Sequence, residues 1–297
     1  MMKGRPGRGQ EPEDVLSRVH VTNLKKVLYP VLGITKQQVI EYYIRIAPKI
    51  LPFLNNRLLT MHRYPDGVGK TDFYEKDAPP GTPGFVDIFP VFSDTAGRKV
   101  RFVVCNNIDT LLWLANLASL ELHISLSGTE SYDSPDFLLF DIDPEPPINF
   151  DDVMQVAHIV RGHLKHEGLV PFVKTSGKKG LHIVVPLTTG HRFDAVRAFA
   201  HRTGIAIAKD TPHAVSEFLH SRDPGTIFID YLQNARGKTM VAPYSLRGSP
   251  GATVSTPVNW EELVPGTRAE DFTIRTVLLR DKEPWRDIFD NRQTIRD

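Results

Sequence analysis

Three aspartates near the ends of apolar strands are the residues of this sequence best suited to chemistry. Asp141 and Asp143 end the run in PDFLLFDIDPEPP, and Asp230 ends a similar run in TIFIDYLQNARGK. Residues i and i+2 of a strand face the same side, so Asp141 and Asp143 bring two like charges together. Such a pair is costly unless a cation lies between the carboxylates, and divalent cations prefer oxygen ligands. The pattern predicts a site for one or two divalent cations.

A polar turn between two further strands offers groups that bind phosphate. The stretch VKTSGKKGLHI contains Ser176, Lys178, Lys179 and His182. If its strands lie beside those of the aspartates, three carboxylates meet hydroxyl, ammonium and amide donors, which suits in-line phosphoryl or nucleotidyl transfer. Each part also has a plain structural alternative. A strand-end aspartate can be a cap or turn former, SGKKG can be a solvated hairpin turn, and His182 can be a structural histidine.

Several other kinds of site are excluded by absent or broken motifs. PDGVGKTDF has Tyr64 where a P-loop needs its first glycine, so a P-loop nucleotide hydrolase is disfavoured. The patterns G-x-S-x-G, H-E-x-x-H, C-x-x-C and K-x-D-G do not occur. One cysteine, Cys105, excludes disulfide frameworks and cysteine-rich zinc sites.

Charge and hydropathy restrict the setting of the protein. The 36 basic and 35 acidic residues leave a net charge of +1, so any nucleic-acid-binding surface must be local. No apolar run is long enough for a membrane span, and MMKGRPGRGQEPED lacks the apolar core of a signal peptide. We therefore expect a cytoplasmic protein, associated with the nucleoid if it acts on DNA.

The elements that must position these residues follow from periodicity and capping signals. Thr35 and Gln38 predict a capping box at the start of the first helix, and Gly168 predicts the end of the third. Four helices are predicted in KQQVIEYYIRIAPKI, in IDTLLWLANLASLELH with Asp109 as cap and His123 at its end, in FDDVMQVAHIVRGHLKHEG and in FDAVRAFAHRTGIAIAKD. The second half alternates strands and helices, which predicts a sheet flanked by helices. Residues 1–19 are expected to be a disordered leader and residues 20–297 a single catalytic domain.

The order of the motifs resembles a known family. FDIDP, TSGKKGLHI and IFIDYLQNARGKTMVAPYSLR, together with VTNLKKVLYP, SLELH and APYSLRG, resemble the polymerase domain of bacterial and archaeal non-homologous end-joining machinery over roughly residues 20–285. That domain is often part of ligase D and belongs to the archaeo-eukaryotic primase superfamily. The resemblance implies an α+β primase-polymerase fold with central antiparallel or mixed sheets flanked by helices. It also implies a template-using polymerase that fills gaps, extends broken DNA ends, prefers ribonucleotides and favours manganese.

The resemblance also implies roles for individual residues. Asp141, Asp143 and Asp230 would be catalytic carboxylates that hold two Mn²⁺ (or Mg²⁺) ions. The residues expected to bind the nucleotide are His123, Ser176, Gly177, Lys179, Gly180, His182, Gln233, Asn234, Lys238 and Arg247. Gln233 stands where some relatives have an arginine, so one positive contact is missing there. The two glycines are expected to let backbone amides approach the phosphates.

Two more pairs of residues would contact DNA by the same resemblance. Lys26 and Lys36 match lysines that bind a 5′-phosphate downstream of a gap, and Lys36 is predicted in the first turn of a helix, where phosphate is favoured. Phe73 and Tyr74 match an aromatic pair that stacks on the template. Without the resemblance, two ordinary surface lysines are the more natural interpretation of the first pair, and burial of the aromatic pair is as natural as stacking.

The expected partners are DNA ends, gapped duplexes and NTPs or dNTPs, with an end-bridging homodimer on DNA as a further possibility. No ligase or nuclease segment is recognisable, so a separate DNA ligase and Ku are expected. Three alternatives stay open: a primase that starts chains de novo, a catalytically silent end-bridging module, and a metal-dependent phosphoesterase.

Overall fold

The structure is a computed structural model that describes residues 18–93 and 96–296. The expected leader therefore lies outside the described residues, except for its last two positions. Of these, Val19 is buried in the core. Among the described helices, none is both long and apolar enough to cross a membrane.

Four helices are described: α1 (Lys36–Leu54), α2 (Ile108–Asn116), α3 (Phe150–His166) and α4 (Phe193–Asp210). Thr35 and Gln38 form the predicted capping box of α1. A second capping box, from Asn149 and Asp152, begins α3. Gly168 follows the end of α3 with a φ of +79°, as the sequence predicted, because this left-handed conformation favours glycine.

The second helix is shorter than predicted, and its cap is a different residue. Asn107, rather than Asp109, is the N-cap, and its side chain accepts a hydrogen bond from the backbone N–H of Thr110 at 2.8 Å. The helix ends before Ala118, whose φ of +55° is incompatible with a continued helix. The prediction of helix through SLELH was therefore wrong. His123 lies in a strand and not at a helix end.

The strands, in chain order, are β1 (Val27–Tyr29), β2 (Ile34–Thr35), β3 (Arg57–Arg63), β4 (Phe73–Glu75), β5 (Asp87–Ser93), β6 (Arg98–Val104), β7 (Ser119–Gly128), β8 (Phe137–Pro144), β9 (Phe172–Thr175), β10 (Leu181–Pro186), β11 (Ala214–Val215), β12 (Ile227–Asp230), β13 (Thr239–Val241) and β14 (Pro257–Val258). The first large sheet has the order β13-β7-β3-β6-β5, with β4 paired to β3. The second has the order β11-β12-β8-β10-β9-β14. Strands β1 and β2 pair separately.

Both large sheets are built from antiparallel neighbours, apart from the parallel pair β11 and β12. Helix α3 packs against β8 and β10, and α4 packs against β8 and β12. Helix α1 packs against α2 and β3. The predicted α+β class, with antiparallel and mixed sheets flanked by helices, is confirmed.

Buried tyrosines fix the segment that follows β13. Tyr29 and Tyr42 donate hydrogen bonds to the carbonyl oxygens of Arg247 and Tyr244 at 2.9 and 2.8 Å. Because a buried hydroxyl needs a partner, these bonds tie the segment to β1 and α1. The position of Arg247 at the border of the two large sheets is set in this way.

Candidate active site

A row of polar residues crosses the second sheet. In the strand register, Asp230 of β12 lies opposite Asp141 of β8, Asp141 lies opposite His182 of β10, and His182 lies opposite Lys174 of β9. Directly opposed residues share a face of the sheet, and Asp143 lies on that face two residues beyond Asp141. The sheet therefore brings the three predicted carboxylates together, as the sequence predicted.

The electrostatics of Asp141 follow from this crowding. Its pKa is raised to about 7. Burial makes the largest contribution, the carboxylates of Asp143 and Asp230 add to it, and Lys174 and Arg247 act in the opposite direction. Its Oδ1 atom lies 3.4 Å from Nε2 of His182. Without an added cation, this carboxyl group therefore keeps its proton up to about pH 7. A bound divalent cation would favour the ionised form, because it would offset the repulsion among the three carboxylates.

The carboxylate of Asp143 meets two exposed cations. Its oxygens lie 3.6 Å from Nζ of Lys179 and 3.9 Å from Nη1 of Arg222. Both cations also reach Glu145, at 3.6 Å and 2.7 Å. Lys179 further donates a hydrogen bond to the carbonyl oxygen of Pro144 at 2.5 Å. Arg222 was not singled out from the sequence, since it lies in the loop before β12, just outside the motif that begins at Thr226.

Asp230 is oriented by its own turn. Its Oδ1 accepts a hydrogen bond from the backbone N–H of Leu232 at 2.7 Å, and its Oδ2 accepts one from Nε2 of Gln233 at 3.0 Å. Burial raises the pKa of Asp230, and these two hydrogen bonds and Lys238 lower it in part. Gln233 and Lys238 are therefore neighbours of the Asp230 carboxylate, and Lys238 itself is exposed.

Asn234 has a different place from the one expected. The side chain is fully buried, and its Oδ1 accepts from the N–H of Leu139 at 2.8 Å while its Nδ2 donates to the carbonyl oxygens of Leu139 and Tyr231 at 2.7 and 3.1 Å. The amide is therefore used by the backbone and is not available to a nucleotide. Its role is to tie the turn after β12 to β8, which corrects the expectation.

The turn between β9 and β10 is closed by Ser176. Its Oγ accepts hydrogen bonds from the N–H groups of Lys178 and Gly180 at 3.2 and 3.1 Å. Both glycines of the turn are needed for close packing. A Cβ at Gly177 would lie 2.6 Å from the side chain of Arg247, and one at Gly180 would lie 2.3 Å from the carbonyl oxygen of Ile142. Because the N–H of Gly180 donates to Oγ of Ser176, this amide points into the turn, which differs from the expected approach to phosphate.

Lys174 is a buried lysine that the sequence analysis missed. Its Nζ donates a hydrogen bond to Oγ of Ser255 at 2.6 Å. Burial, and then Arg247, lower its pKa well below the usual value. The pKa of His182 is also well below its usual range, because of burial and then of Lys174 and Arg247. The row therefore ends in two bases whose charged forms are disfavoured by burial.

The largest omission was Glu121 in SLELH, which is fully buried in β7. Its Oε1 accepts hydrogen bonds from the N–H of Gly248 at 2.9 Å and from the hydroxyl of Tyr64 at 3.1 Å. Its Oε2 lies 3.0 Å from Nε2 of His123 and 3.3 Å from Nη2 of Arg247. A glutamate within an apolar strand, two residues before a histidine, was the available signal, since both then share one face.

The carboxylate of Glu121 and the rings of His62 and His123 could hold a metal ion, because one ligand atom of each lies within 4.8 Å of the others. The surroundings favour another arrangement. Nη2 of Arg247 lies 3.3 Å from one carboxylate oxygen, and Nζ of Lys178 lies 3.6 Å from the other. Two cations therefore already face this buried carboxylate, whereas Asp141 of the second sheet faces the carboxylates of Asp143 and Asp230.

These groups open into one cavity of about 850 Å³. Of the predicted residues, those that line it are Tyr74, His123, Asp141, Asp143, Ser176, Gly177, Lys179, Gly180, His182, Gln233 and Arg247. Lys178 and Arg222, which had not been assigned, also line it. Asp230, Lys238 and Asn234 are not part of this lining. The cavity thus combines the carboxylates of Asp141 and Asp143 with the cations Lys178, Lys179, Arg222 and Arg247, a set of charges that suits a triphosphate with divalent cations.

Lys26 and Lys36 lie together at the start of α1. The backbone N–H of Lys36 donates to the carbonyl oxygen of Lys26 at 2.8 Å. Lys36 is nearly buried, and its Nζ donates to the carbonyl oxygen of Asn116 at 2.7 Å, at the end of α2. Burial, Lys26 and Arg63 lower its pKa, which marks a local excess of positive charge. Lys26 itself pairs with Asp66 at 2.8 Å.

Phe73 and Tyr74 are both exposed, at 41% and 58%. Tyr74 stacks on His62 with 3.9 Å between ring centroids, and its edge meets His123 at 5.6 Å. The guanidinium of Arg63 lies over the ring of Phe73 at 5.3 Å. The pair is therefore not buried in the core, and Tyr74 lies beside the cavity.

Comparison with known proteins gives consistent matches. The family model described as "LigD, primase-polymerase domain" matches residues 35–289. The bifunctional non-homologous end joining protein LigD of Bacillus subtilis is 32% identical over 281 residues, which are 93% of this chain and 45% of that protein. The multifunctional LigD of Mycolicibacterium smegmatis is 33% identical over 249 residues, covering 83% of this chain and 32% of that protein. The chain therefore spans less than half the length of these relatives.

A solved structure gives the same answer for the fold. The polymerase domain from Mycobacterium tuberculosis ligase D, in complex with DNA, superposes with a TM-score of 0.85 at 30% sequence identity. The match covers 93% of this chain and 99% of that one. The chain belongs to the LigD primase-polymerase domain family, which confirms the resemblance found in the sequence.

Proposed function

We propose that this chain is a template-directed nucleotidyltransferase that fills gaps and extends DNA ends in non-homologous end joining. The observation that carries the proposal is the row in which Asp230, Asp141 and His182 lie on neighbouring strands, with Asp143 on the same face, beside a cavity lined with cations. Carboxylates arranged in this way suit divalent cations, and the cationic side chains that line the same cavity suit a triphosphate. We further propose that ribonucleotides are preferred, as the family resemblance implies.

Two Mn²⁺ (or Mg²⁺) ions are the proposed cofactors, held by Asp141, Asp143 and Asp230. The fit rests on the raised pKa of Asp141, which burial and the other two carboxylates hold near 7. Such ions supply activation of the primer 3′-hydroxyl and stabilisation of the pyrophosphate that leaves. His182, 3.4 Å from Asp141, orients that carboxylate toward the ions.

The remaining residues of the cavity bind the nucleotide in this proposal. Lys179 and Arg247 offset the negative charge of the phosphates, and His123 contacts the nucleotide beside them. The new bond joins the primer 3′-oxygen to the α-phosphorus, while the bond to the β-phosphate oxygen breaks and pyrophosphate leaves. Ser176 holds the turn that carries Lys179, because it closes the turn through two backbone hydrogen bonds.

DNA is the proposed macromolecular partner, as it is in the structure of the mycobacterial relative. The positive charge around Lys26 and Lys36 suits the 5′-phosphate on the downstream side of a gap, and the exposed rings of Phe73 and Tyr74 suit stacking on the template. A DNA ligase and Ku are proposed to act with this domain. Two copies of this chain are proposed to meet across a DNA break. The cytoplasm is the proposed location.

Primer extension on a gapped duplex with a downstream 5′-phosphate tests the proposal. Wild type, Asp230→Ala and the surface control Asp194→Ala are compared with Mn²⁺ and with NTPs against dNTPs. We expect templated addition by the wild type and the control, with release of pyrophosphate, and none by Asp230→Ala, because the two carboxylates that remain, Asp141 and Asp143, cannot hold both ions.

Three outcomes would overturn the proposal in different directions. DNA binding by the wild type without any nucleotide addition would favour an end-bridging module. Addition without a primer on single-stranded template would favour a primase. Release of phosphate instead of pyrophosphate would favour a phosphoesterase.

A further inference from the structure

The buried carboxylate of Glu121 lies between two groups of side chains that belong to different tasks. On one side are His123, Arg247 and Lys178, which line the cavity and lie 3.0, 3.3 and 3.6 Å from the carboxylate oxygens. On the other side is His62, which lies opposite Glu121 in the register of β3 and β7 and 3.6 Å from its Oε2.

His62 leads on to the strand that is proposed to face the template. Its Nε2 lies 2.5 Å from Oδ1 of Asp72, the residue that precedes β4, and its ring stacks on Tyr74 of β4. The hydroxyl of Tyr64 lies 3.0 Å from Nδ1 of His62 and donates to Glu121, so a second link joins the same two residues. A continuous set of polar contacts therefore runs from β4 to the cations of the cavity.

The carboxylate is ionised in this environment. Burial would raise the pKa of Glu121, but hydrogen bonds from His123 and His62 and the charge of Arg247 outweigh burial and hold it far below the usual range. Arg247 is itself almost buried, and its guanidinium is held at two points, by Glu121 and by a 2.9 Å hydrogen bond to the carbonyl oxygen of Ser176. Removing the charge of Glu121 would leave this guanidinium with one anchor.

We propose that Glu121 is a positioning residue. Its buried carboxylate holds Arg247 and Lys178 beside the triphosphate, and it also contacts His62, which leads to β4. Nucleotide affinity then depends on the contacts that link β4, the strand proposed to face the template, to the carboxylate of Glu121. This inference rests on the proposed polymerase function. It adds Glu121, His62 and Asp72, none of which touches the reacting atoms, and it gives them a shared task.

The first test is Glu121→Gln, which keeps the shape of the side chain and removes its charge. We expect the KM for the incoming nucleotide to rise at least about tenfold, with kcat changed by less than about threefold, because the cations bind the phosphates in the ground state and in the transition state alike. The matched control is Asp136→Asn, which removes another buried charge, paired with Arg57 at 2.8 and 2.7 Å. We expect Asp136→Asn to lower the Tm by about as much as Glu121→Gln does and to leave the nucleotide KM unchanged.

The second test begins with single variants of Asp72 and Glu75, so its first comparison does not require Glu121→Gln to fold. Asp72→Asn weakens the link between His62 and β4, whereas the control Glu75→Gln removes a carboxylate on β4 that pairs with Arg63 at 2.7 Å instead. With a template whose downstream end lacks a 5′-phosphate, we expect Asp72→Asn to raise the nucleotide KM several-fold and Glu75→Gln to leave it unchanged. In the Glu121→Gln background, Asp72→Asn should have no further effect.

The outcomes separate this inference from the proposed function. If the wild type adds no nucleotide, the proposed function fails. If the wild type is active and Glu121→Gln has an unchanged or lower KM, the inference about Glu121 fails alone. Independent, additive effects of Asp72→Asn and Glu121→Gln would overturn the link to β4. Tight binding of Mn²⁺ that is lost in Glu121→Gln but kept in Asp141→Asn would show that Glu121 is a metal ligand, which also overturns it.

Discussion

Replacing Asp141 with asparagine should abolish nucleotide addition and stabilise the protein. In the metal-free protein, burial and two neighbouring carboxylates raise the pKa of Asp141 from 3.8 to about 7. A shift of about three pKa units corresponds to roughly 4 kcal/mol, since one unit is about 1.36 kcal/mol. The side chain is 26% exposed, so solvent screening reduces this value, and we expect a gain of about 1–3 kcal/mol in the free energy of unfolding at pH 8.

The gain should depend on pH in a defined direction. The unfolded chain releases the proton of Asp141 near pH 4, whereas the folded protein retains it until about pH 7. The folded state binds more protons between these values, so the wild type loses stability as the pH rises from about 4 to 7, and the loss is complete above 7. Asparagine has no such dependence. The difference between the two proteins should therefore be near zero at pH 4, grow to pH 7 and stay constant above it.

Urea unfolding of both proteins without metal, at pH 4.5, 6 and 8, measures this difference. Asp194→Asn on the surface of α4 is the control, and its free energy of unfolding should stay within about 0.5 kcal/mol of the wild type. Adding Mn²⁺ should stabilise the wild type and not Asp141→Asn, because only the folded wild type offers the full set of carboxylates. An Asp141→Asn protein that is no more stable than the wild type at pH 8 would refute the argument from crowded buried charges.

Two further predictions concern the turn between β9 and β10 and the pair Lys26 and Lys36. Gly180→Ala should cost about 1–3 kcal/mol in the free energy of unfolding, because its Cβ would lie 2.3 Å from the carbonyl oxygen of Ile142, whereas Gly162→Ala, in open space on α3, should be neutral or stabilising. Thermal unfolding of both variants checks this, and equal Tm values would contradict it. Lys26→Glu should weaken binding to a gap with a downstream 5′-phosphate more than to an unphosphorylated gap, and the exposed control Lys25→Glu should not discriminate. Equal losses of affinity on both substrates, measured by fluorescence anisotropy, would remove the role of Lys26 in binding the 5′-phosphate.

Local patterns in the sequence were sufficient for the elements whose signals are local. The capping box of Thr35 and Gln38, the glycine after α3 and the paired aspartates of β8 all depend on residues within a few positions of one another. The helix predicted through SLELH failed for a physical reason. A short apolar run fits helix and strand alike, and only the left-handed backbone at Ala118 separates α2 from β7.

Contacts between residues far apart in the chain were outside the reach of these patterns. The side chain of Asn234 resembles a site residue by its place after Asp230, yet its partners are backbone groups of Leu139, 95 positions away. Two partners of Glu121 are also distant, since Gly248 lies 127 positions further along the chain and Tyr64 lies 57 positions before it. Such partners are defined by the pairing of strands and not by spacing along the sequence.

The two kinds of buried acid in this domain differ in their neighbours more than in their burial. Asp141 faces Asp143 and Asp230, which add to the effect of burial in raising its pKa. Its ionised form is therefore unfavourable until a cation is added. Glu121 faces His123 and Arg247, so its pKa is lowered, and it already has the cations it needs. Burial penalises both charges, and the sign of the surrounding charge decides which acid binds a ligand and which holds other side chains in place. A divalent cation should therefore prefer the aspartates of the second sheet, although His62, Glu121 and His123 offer ligand atoms at suitable distances.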